Sequence, residues 1–171
     1  MAQELLRRGD LVCPVCGNLF IWHDSYPRHF IDGNGLRHDG WLAQLKCPIC
    51  NKHHTLIPDF IMPYKHYSAE VIESAINDTE NGDFGRSSCP ADDSTVRRWI
   101  NQFHDRAPAA IGYIQSILFD NYLITISSLE QQEKGLFFQL SRLIREFKLS
   151  ESIGVIGRAN FILTRYNSGL L

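Results

Sequence analysis

Two Cys-x-x-Cys pairs constrain this chain more than any other feature. They read Cys13-Pro-Val-Cys16-Gly17 and Cys47-Pro-Ile-Cys50-Asn51. Four thiolates are the set that closes a tetrahedral zinc site, and two cysteines three apart on a tight turn can face one ion. The flanking Pro, Gly and Asn favour such turns. A short segment that folds around a metal draws much of its folding free energy from that metal. Cys13, Cys16, Cys47 and Cys50 are therefore expected to hold one structural Zn2+ per chain. The rival readings are a redox pair, disulfides, or four ordinary buried cysteines. A redox pair would need only one Cys-x-x-Cys. Disulfides need an oxidising compartment, and the opening Met1-Ala-Gln-Glu-Leu-Leu-Arg-Arg-Gly-Asp carries charge where a secretory leader needs an apolar run.

His53 and His54 follow the second knuckle closely enough to replace or supplement a thiolate. Four cysteines already fill a structural site, so the two read as a polar pair on the knuckle rim. His23 and His29 have no spacing that requires ligation. Cys89 reads as a small turn residue, since no Cys/His/Asn set at a recognisable spacing accompanies it. A closed four-thiolate site leaves no open position for water, so neither an enzyme nor a small-molecule substrate is expected.

The segment between the knuckles, Gly17 to Lys46, must itself be filled. Leu19–Trp22 and Arg28–Ile31 read as strands, and Asp32-Gly33-Asn34-Gly35 as a turn. Trp41, Ala43 and Leu45 alternate with Gln44 and Lys46, which predicts a strand with an apolar face running into the second knuckle. Thr55-Leu56-Ile57 leaves it. The expectation is a small antiparallel zinc ribbon over residues 1–62, with helices after it, an α+β chain.

Beyond Pro63, Ser68 is a good N-cap for a helix from Ala69, with Val71, Ile72, Ala75 and Ile76 on one face. Asn77 to Gly85 reads as a loop. Asp92-Asp93-Ser94-Thr95 predicts a second helix start. There Val96, Trp99, Ile100 and Phe103 make a buried stripe, and Ser94, Thr95, Arg97, Arg98, Asn101 and Gln102 lie opposite or beside it. Guanidinium and amide groups on an exposed helix face are the chemistry that reads guanine and adenine edges. Residues 63–106 are accordingly expected to form a helix-turn-helix-like segment contacting double-stranded DNA, with Arg98 and Asn101 central and Arg97 at a phosphate or a neighbouring base.

Pro108 is expected to break the chain again. Residues 107–171 then hold apolar helices that pack together or dimerise. Ile111, Ile114, Ile117 and Leu118 pattern one. Leu136, Leu140, Leu143, Ile144 and Phe147 pattern another, and Ser150 caps a third with Ile153, Ile156 and Phe161 to Tyr166. The stretch Ile111 to Leu129 contains Gln115, Asp120 and Asn121, so it reads as a buried helix and not a membrane span. A 171-residue chain that is 44% hydrophobic suits one medium domain or two small ones, and the protein is expected in the cytoplasm, as a homodimer. Its net charge of -2 supplies no global basic field, and in residues 67–106 Arg86, Arg97, Arg98 and Arg106 are outnumbered by acids.

The runs His53-His54-Thr55-Leu56-Ile57-Pro58-Asp59-Phe60 and Pro63-Tyr64-Lys65-His66-Tyr67-Ser68-Ala69-Glu70-Val71-Ile72 resemble an uncharacterised bacterial family in which a zinc-binding segment precedes a helix-turn-helix. Ser94-Thr95-Val96-Arg97-Arg98-Trp99 resembles its second signature. The family is similar to the DNA-binding front end of insertion-sequence transposases, where paired knuckles precede a Thr-x-x-Leu-Pro phrase. The resemblance covers roughly residues 11–105. It implies DNA binding in transcriptional regulation or mobile-element biology, not transposition, because the tail after Pro108 is too short for a three-carboxylate catalytic domain. The chain departs from the pattern between its two helices, where Asn77 to Pro90 is long and shows no middle helix. The other reading of the same features is a protein-interaction adaptor in which the ribbon is a scaffold and Arg97 and Arg98 grip an acidic surface.

Overall fold

The computed structural model describes residues 2–83, 89–123, 135–147 and 154–165. A seven-residue helix, α1 (Ala2–Arg8), leads into a three-stranded antiparallel sheet in the order β1-β2-β3: β1 (Ile21–Ile31), β2 (Arg37–Lys46) and β3 (His53–Leu56). Four helices follow: α2 (Ala69–Glu80), α3 (Asp93–Tyr122), α4 (Leu136–Arg145) and α5 (Val155–Arg165). The fold is α+β, a small sheet carrying the four cysteines and then a helical region.

Where two short strands were expected before the turn, β1 is one strand. Pro27 sits inside it, on an edge strand; Ile31, four residues on, points its N–H away from β2 to the His66 carbonyl, and Pro27 shares that side, so its missing N–H breaks no bond to β2. A register shift between Trp22 and Asp24 marks a bulge. The turn at Asp32–Gly35 closes as expected: the Asp32 carboxylate accepts from the N–H groups of Asn34 (2.9 Å) and Leu36 (3.0 Å). The apolar alternation on β2 holds for Ala43 and Leu45 but not for Trp41, which is 72% exposed. Ala43 and Leu45 lie opposite β3, whereas Trp41 lies beyond its end, where no third strand flanks it. Leu42, on the opposite face, is buried instead.

The sheet is tied to the helices by main-chain bonds. Ile31 N–H donates to the His66 carbonyl (2.8 Å), and the Ile31 carbonyl accepts from Ser68 N–H (2.9 Å). Ser68 Oγ in turn caps α2 through Val71 N–H. The end of β1 thus sets where α2 begins. Val71, Ile72, Ala75 and Ile76 are buried as the helical spacing predicted. The helix does not stop at Asn77 but continues to Glu80, its last turn held by Thr79 Oγ1 donating to the Ala75 carbonyl (2.8 Å).

The expected break at Pro108 does not occur. α3 is a single 30-residue helix with Pro108 inside it. Proline removes one helix bond, but Ala107, Ala110, Ile111 and Ile114 on either side are all buried, and that packing outweighs local propensity. One core runs through α2, α3, α4 and α5 and takes in Val96, Trp99, Phe103, Ile117, Leu118, Leu140, Leu143, Ile144 and Ile162. Each fully buried aliphatic side chain contributes about 1.5–3 kcal/mol. The predicted stripe on α4 is buried at Leu140, Leu143 and Ile144, while Leu136 and Phe147 are partly buried against the core. Ser150, Ile153 and Tyr166 lie outside the described residues.

Two carboxylates of α2 join the later helices to it. Glu73 accepts from the N–H groups of Val155 (2.9 Å) and Ile156 (2.8 Å), at the start of α5. Glu80 accepts from Phe137 N–H (2.8 Å), at the start of α4. Helix N-termini leave N–H groups unpaired, and carboxylates there are favourable partners. Among the described residues, no helix is long and apolar enough to cross a membrane.

Candidate metal centre

Each knuckle is built by the same pair of main-chain bonds. Gly17 N–H donates to the Cys13 carbonyl (2.8 Å), and Cys13 N–H donates to the Asn18 carbonyl (2.7 Å). In the second knuckle Asn51 N–H donates to the Cys47 carbonyl (3.0 Å), and Cys47 N–H donates to the Lys52 carbonyl (2.9 Å). This reversal puts the residue after the second cysteine in the left-handed region, Gly17 at φ 72° and Asn51 at φ 58°. Gly and Asn are the residue types that adopt it most readily, which is why they stand there.

The two turns face each other across the end of the sheet. Cys13 Sγ lies 3.5 Å from Cys50 Sγ, and Cys16 Sγ lies 3.4 Å from Cys47 Sγ. All four sulfurs fall within 4.8 Å of one another. Thiolates about 2.3 Å from a tetrahedral zinc stand about 3.8 Å apart, so the spread brackets the closed arrangement. Cys13 and Cys47 are buried, Cys16 is exposed, and Cys50 is intermediate. The donor set is all sulfur, which suits zinc and excludes hard cations.

The sulfurs titrate apart. Main-chain and side-chain hydrogen bonds from Asn18 draw the Cys16 thiol down to about 6. At Cys50 the Lys52 N–H favours the thiolate, but burial and the neighbouring sulfurs of Cys13, Cys47 and Cys16 outweigh it and push the thiol up to about 12. Crowded thiolates repel one another, and a divalent cation reverses that balance.

Of the two histidines in question, His54 stands at the edge of the cluster. Its Nε2 is 3.9 Å from Cys13 Sγ, and its ring packs on Phe20. His53 instead packs edge-on against His23 of β1, with ring centres 4.3 Å apart. The metal-type cluster among the described residues consists of the four cysteines.

Residues 13–99, just over half of the chain, match the family described as a domain of unknown function, DUF6431. This chain belongs to that family. The match starts at the first knuckle cysteine and ends at Trp99, so DUF6431 takes in the whole sulfur cluster, the sheet, α2 and the first turns of α3. Nothing matches among curated proteins or among solved structures.

The six side chains expected at DNA lie on the first turns of α3. Ser94, Arg97, Arg98, Asn101 and Gln102 are exposed, and Thr95 is intermediate. Asp92 caps the helix, accepting from Thr95 N–H (2.9 Å), Thr95 Oγ1 (2.9 Å) and Ser94 Oγ (2.5 Å). The Ser94 and Thr95 hydrogen bonds hold the Asp92 carboxyl at about 2. Ser94 and Thr95 therefore fix the helix start. Gln102 Oε1 accepts from Lys65 Nζ, a partner no helical spacing would reveal.

Proposed function

We propose that this chain is a non-enzymatic zinc protein that binds double-stranded DNA through the outer face of α3, in transcriptional regulation or mobile-element biology. Cys13, Cys16, Cys47 and Cys50 hold one structural Zn2+, and the zinc fixes the sheet from which the helices hang. The observation that carries the DNA reading is the division of α3: Val96, Trp99 and Phe103 are buried, while Arg97, Arg98, Asn101 and Gln102 are exposed. In this reading α2 and α3 act as the helix-turn-helix-like pair, and a second copy joins through the α4–α5 end. A reducing, cytoplasmic setting goes with a zinc thiolate centre.

The acidic composition of residues 67–106 weighs less against this reading than a count of charges suggests. Glu73 is 9% exposed and the Glu80 side chain 8%, both spent on helix N-termini and not displayed to solvent. The test is a binding titration on selected duplex DNA at two salt concentrations with the Arg97→Ala/Arg98→Ala double variant. A folded double variant that binds as the parent does would remove α3 from the interface.

One observation favours an adaptor instead. Val15 (61% exposed), Ile49 (68%) and Trp41 (72%) display apolar surface on the knuckles and sheet. An adaptor would show no affinity for duplex DNA even at low salt.

A further inference from the structure

We infer that Lys65, Arg98 and Arg106 form a seat for one phosphodiester group of the DNA backbone, with Arg28 holding Lys65 in place, where the sheet, the segment after it and α3 meet. The inference deepens the DNA reading above and rests on it. The four residues come from three separate parts of the chain, and two hydrogen bonds join those parts. Arg28 of β1 donates through Nη2 to the Lys65 carbonyl, which pins the connecting segment to the sheet. Lys65 then reaches α3, its Nζ donating to Gln102 Oε1. Arg98, Gln102 and Arg106 recur every four residues, so they form one ridge along the helix.

What distinguishes this cluster is the lack of a counter-charge. Partial burial lowers the Lys65 pKa first, and repulsion from Arg98 and Arg106 lowers it further. Among the described residues, no ion pair joins any of the four to a carboxylate. Yet acids abound in this part of the chain, and Asp93 and Asp105 lie on the same helix. Gathering like charges is unfavourable unless an anion completes the set. Arg28 Nε is buried, so Arg28 supports Lys65 from behind and does not itself face the anion.

The donor set suits phosphate. Guanidinium forks and an ammonium give several charge-assisted bonds to one tetrahedral anion. The seat flanks the exposed face of α3, so a DNA strand crossing it leaves that face over the groove. At 100° per residue, Arg97 and Asn101 lie on the flank away from Lys65. Arg98 accordingly moves from base reading to backbone contact, and base reading falls to Arg97 and Asn101.

The experiment uses the zinc-loaded full chain and a random-sequence duplex, with affinity measured by anisotropy across a salt series. Lys65→Gln and Arg106→Gln are compared with the parent, with Lys52→Gln as an exposed control. Arg106→Lys tests rescue by charge. Folding and zinc content are checked for each. The seat predicts that each Gln variant weakens binding to all sequences alike and reduces the steepness of the log K–log salt slope by about 0.9. It predicts that Arg106→Lys recovers most of the slope and that Lys52→Gln leaves it unchanged. If the parent binds DNA and both seat variants match it in affinity and slope, the seat is wrong and the DNA reading stands. If the folded parent binds no duplex at low salt, the DNA reading and the phosphodiester assignment both fall. Binding to polyglutamate that is lost in Arg106→Gln would then make an acidic protein the occupant.

Discussion

The carboxylate of Glu73 fills the space that a side chain on Gly154 would take. A Cβ built on Gly154 would stand 2.6 Å from the Glu73 carboxyl carbon, well inside contact distance. The same relationship holds between Glu80 and Gly135, where the distance to the carboxyl carbon would be 2.7 Å. Each glycine precedes a helix, and each glutamate supplies from a distance the cap that the glycine lacks.

Gly154→Ala should therefore expel the Glu73 carboxylate and leave the first N–H groups of α5 without their partner. The expected loss is about 1–3 kcal/mol, the cost of unpairing buried polar groups. Denaturant unfolding at fixed zinc checks it. A variant within about 0.5 kcal/mol of the parent would show that the helix start relaxes freely.

Glu73 also predicts a pH dependence. Burial raises its pKa, and the N–H groups of Ile156, Val155 and Gly157 with the Arg158 charge only partly offset that. A raised folded pKa means that the native state binds the proton more tightly than the unfolded chain. Stability from this group is thus fully present below the unfolded value and is lost as pH rises through the folded one. Glu73→Gln should remove that component. The check is the difference in Tm between parent and variant across the acidic range, which cancels contributions from other groups. A difference that stays flat with pH would refute the assignment.

One zinc per chain should be found by metal analysis, and the zinc-bound protein should shield four thiols from alkylation while Cys89 reacts more readily. Cys47→Ser should unfold the sheet, because apparent zinc free energies in small sites are on the order of 10 kcal/mol. Zinc-free protein that retains the full near-ultraviolet signal of Trp22 and Trp41 would count against a folding role for the metal.

The two left-handed knuckle residues should respond in opposite directions. Gly17→Ala meets no atom within 4 Å, so only its φ of 72° opposes it, at about 1–2 kcal/mol. Asn51→Gly should be neutral or slightly stabilising. Competition with a chelator reads both as changes in zinc affinity, and equal effects at the two sites would contradict the geometry.

Pro108→Ala should stabilise the chain, by up to about 3 kcal/mol, because α3 carries a proline that its helix gains nothing from locally. Thermal unfolding checks it. A drop in Tm would mean that the ring makes packing contacts worth more than the restored helix bond.

The parts of this molecule that were readable beforehand are those whose chemistry is local. Cys-x-x-Cys spacing declares a knuckle within five residues, and Ser68 and Asp92 declare helix starts within three. The stripe Val96-Trp99-Phe103 likewise needs only the helical period. Pro108 and Asn77 carry local signals that a surrounding core overrules, and Trp41 is exposed because β3 ends before it; neither is visible in a short window. The Arg28–Lys65–Gln102 connection joins positions no periodicity relates. A weak signal for the remote caps did exist: Glu73 and Glu80 are seven apart on one helix face, and a glycine stands before each of the last two helices.

The unbroken course of α3 has a mechanical consequence. Thirty residues of helix span about 45 Å, more than one turn of the double helix it is proposed to meet. Its first turns present Arg97 and Asn101 to solvent, and further along Ile114, Ile117 and Leu118 are buried in the core shared with α4 and α5. Had Pro108 broken it, each half would orient separately. As a single rod it is a lever: a tilt imposed near Leu118 arrives at Arg97 as the same tilt, multiplied into displacement by the length between them.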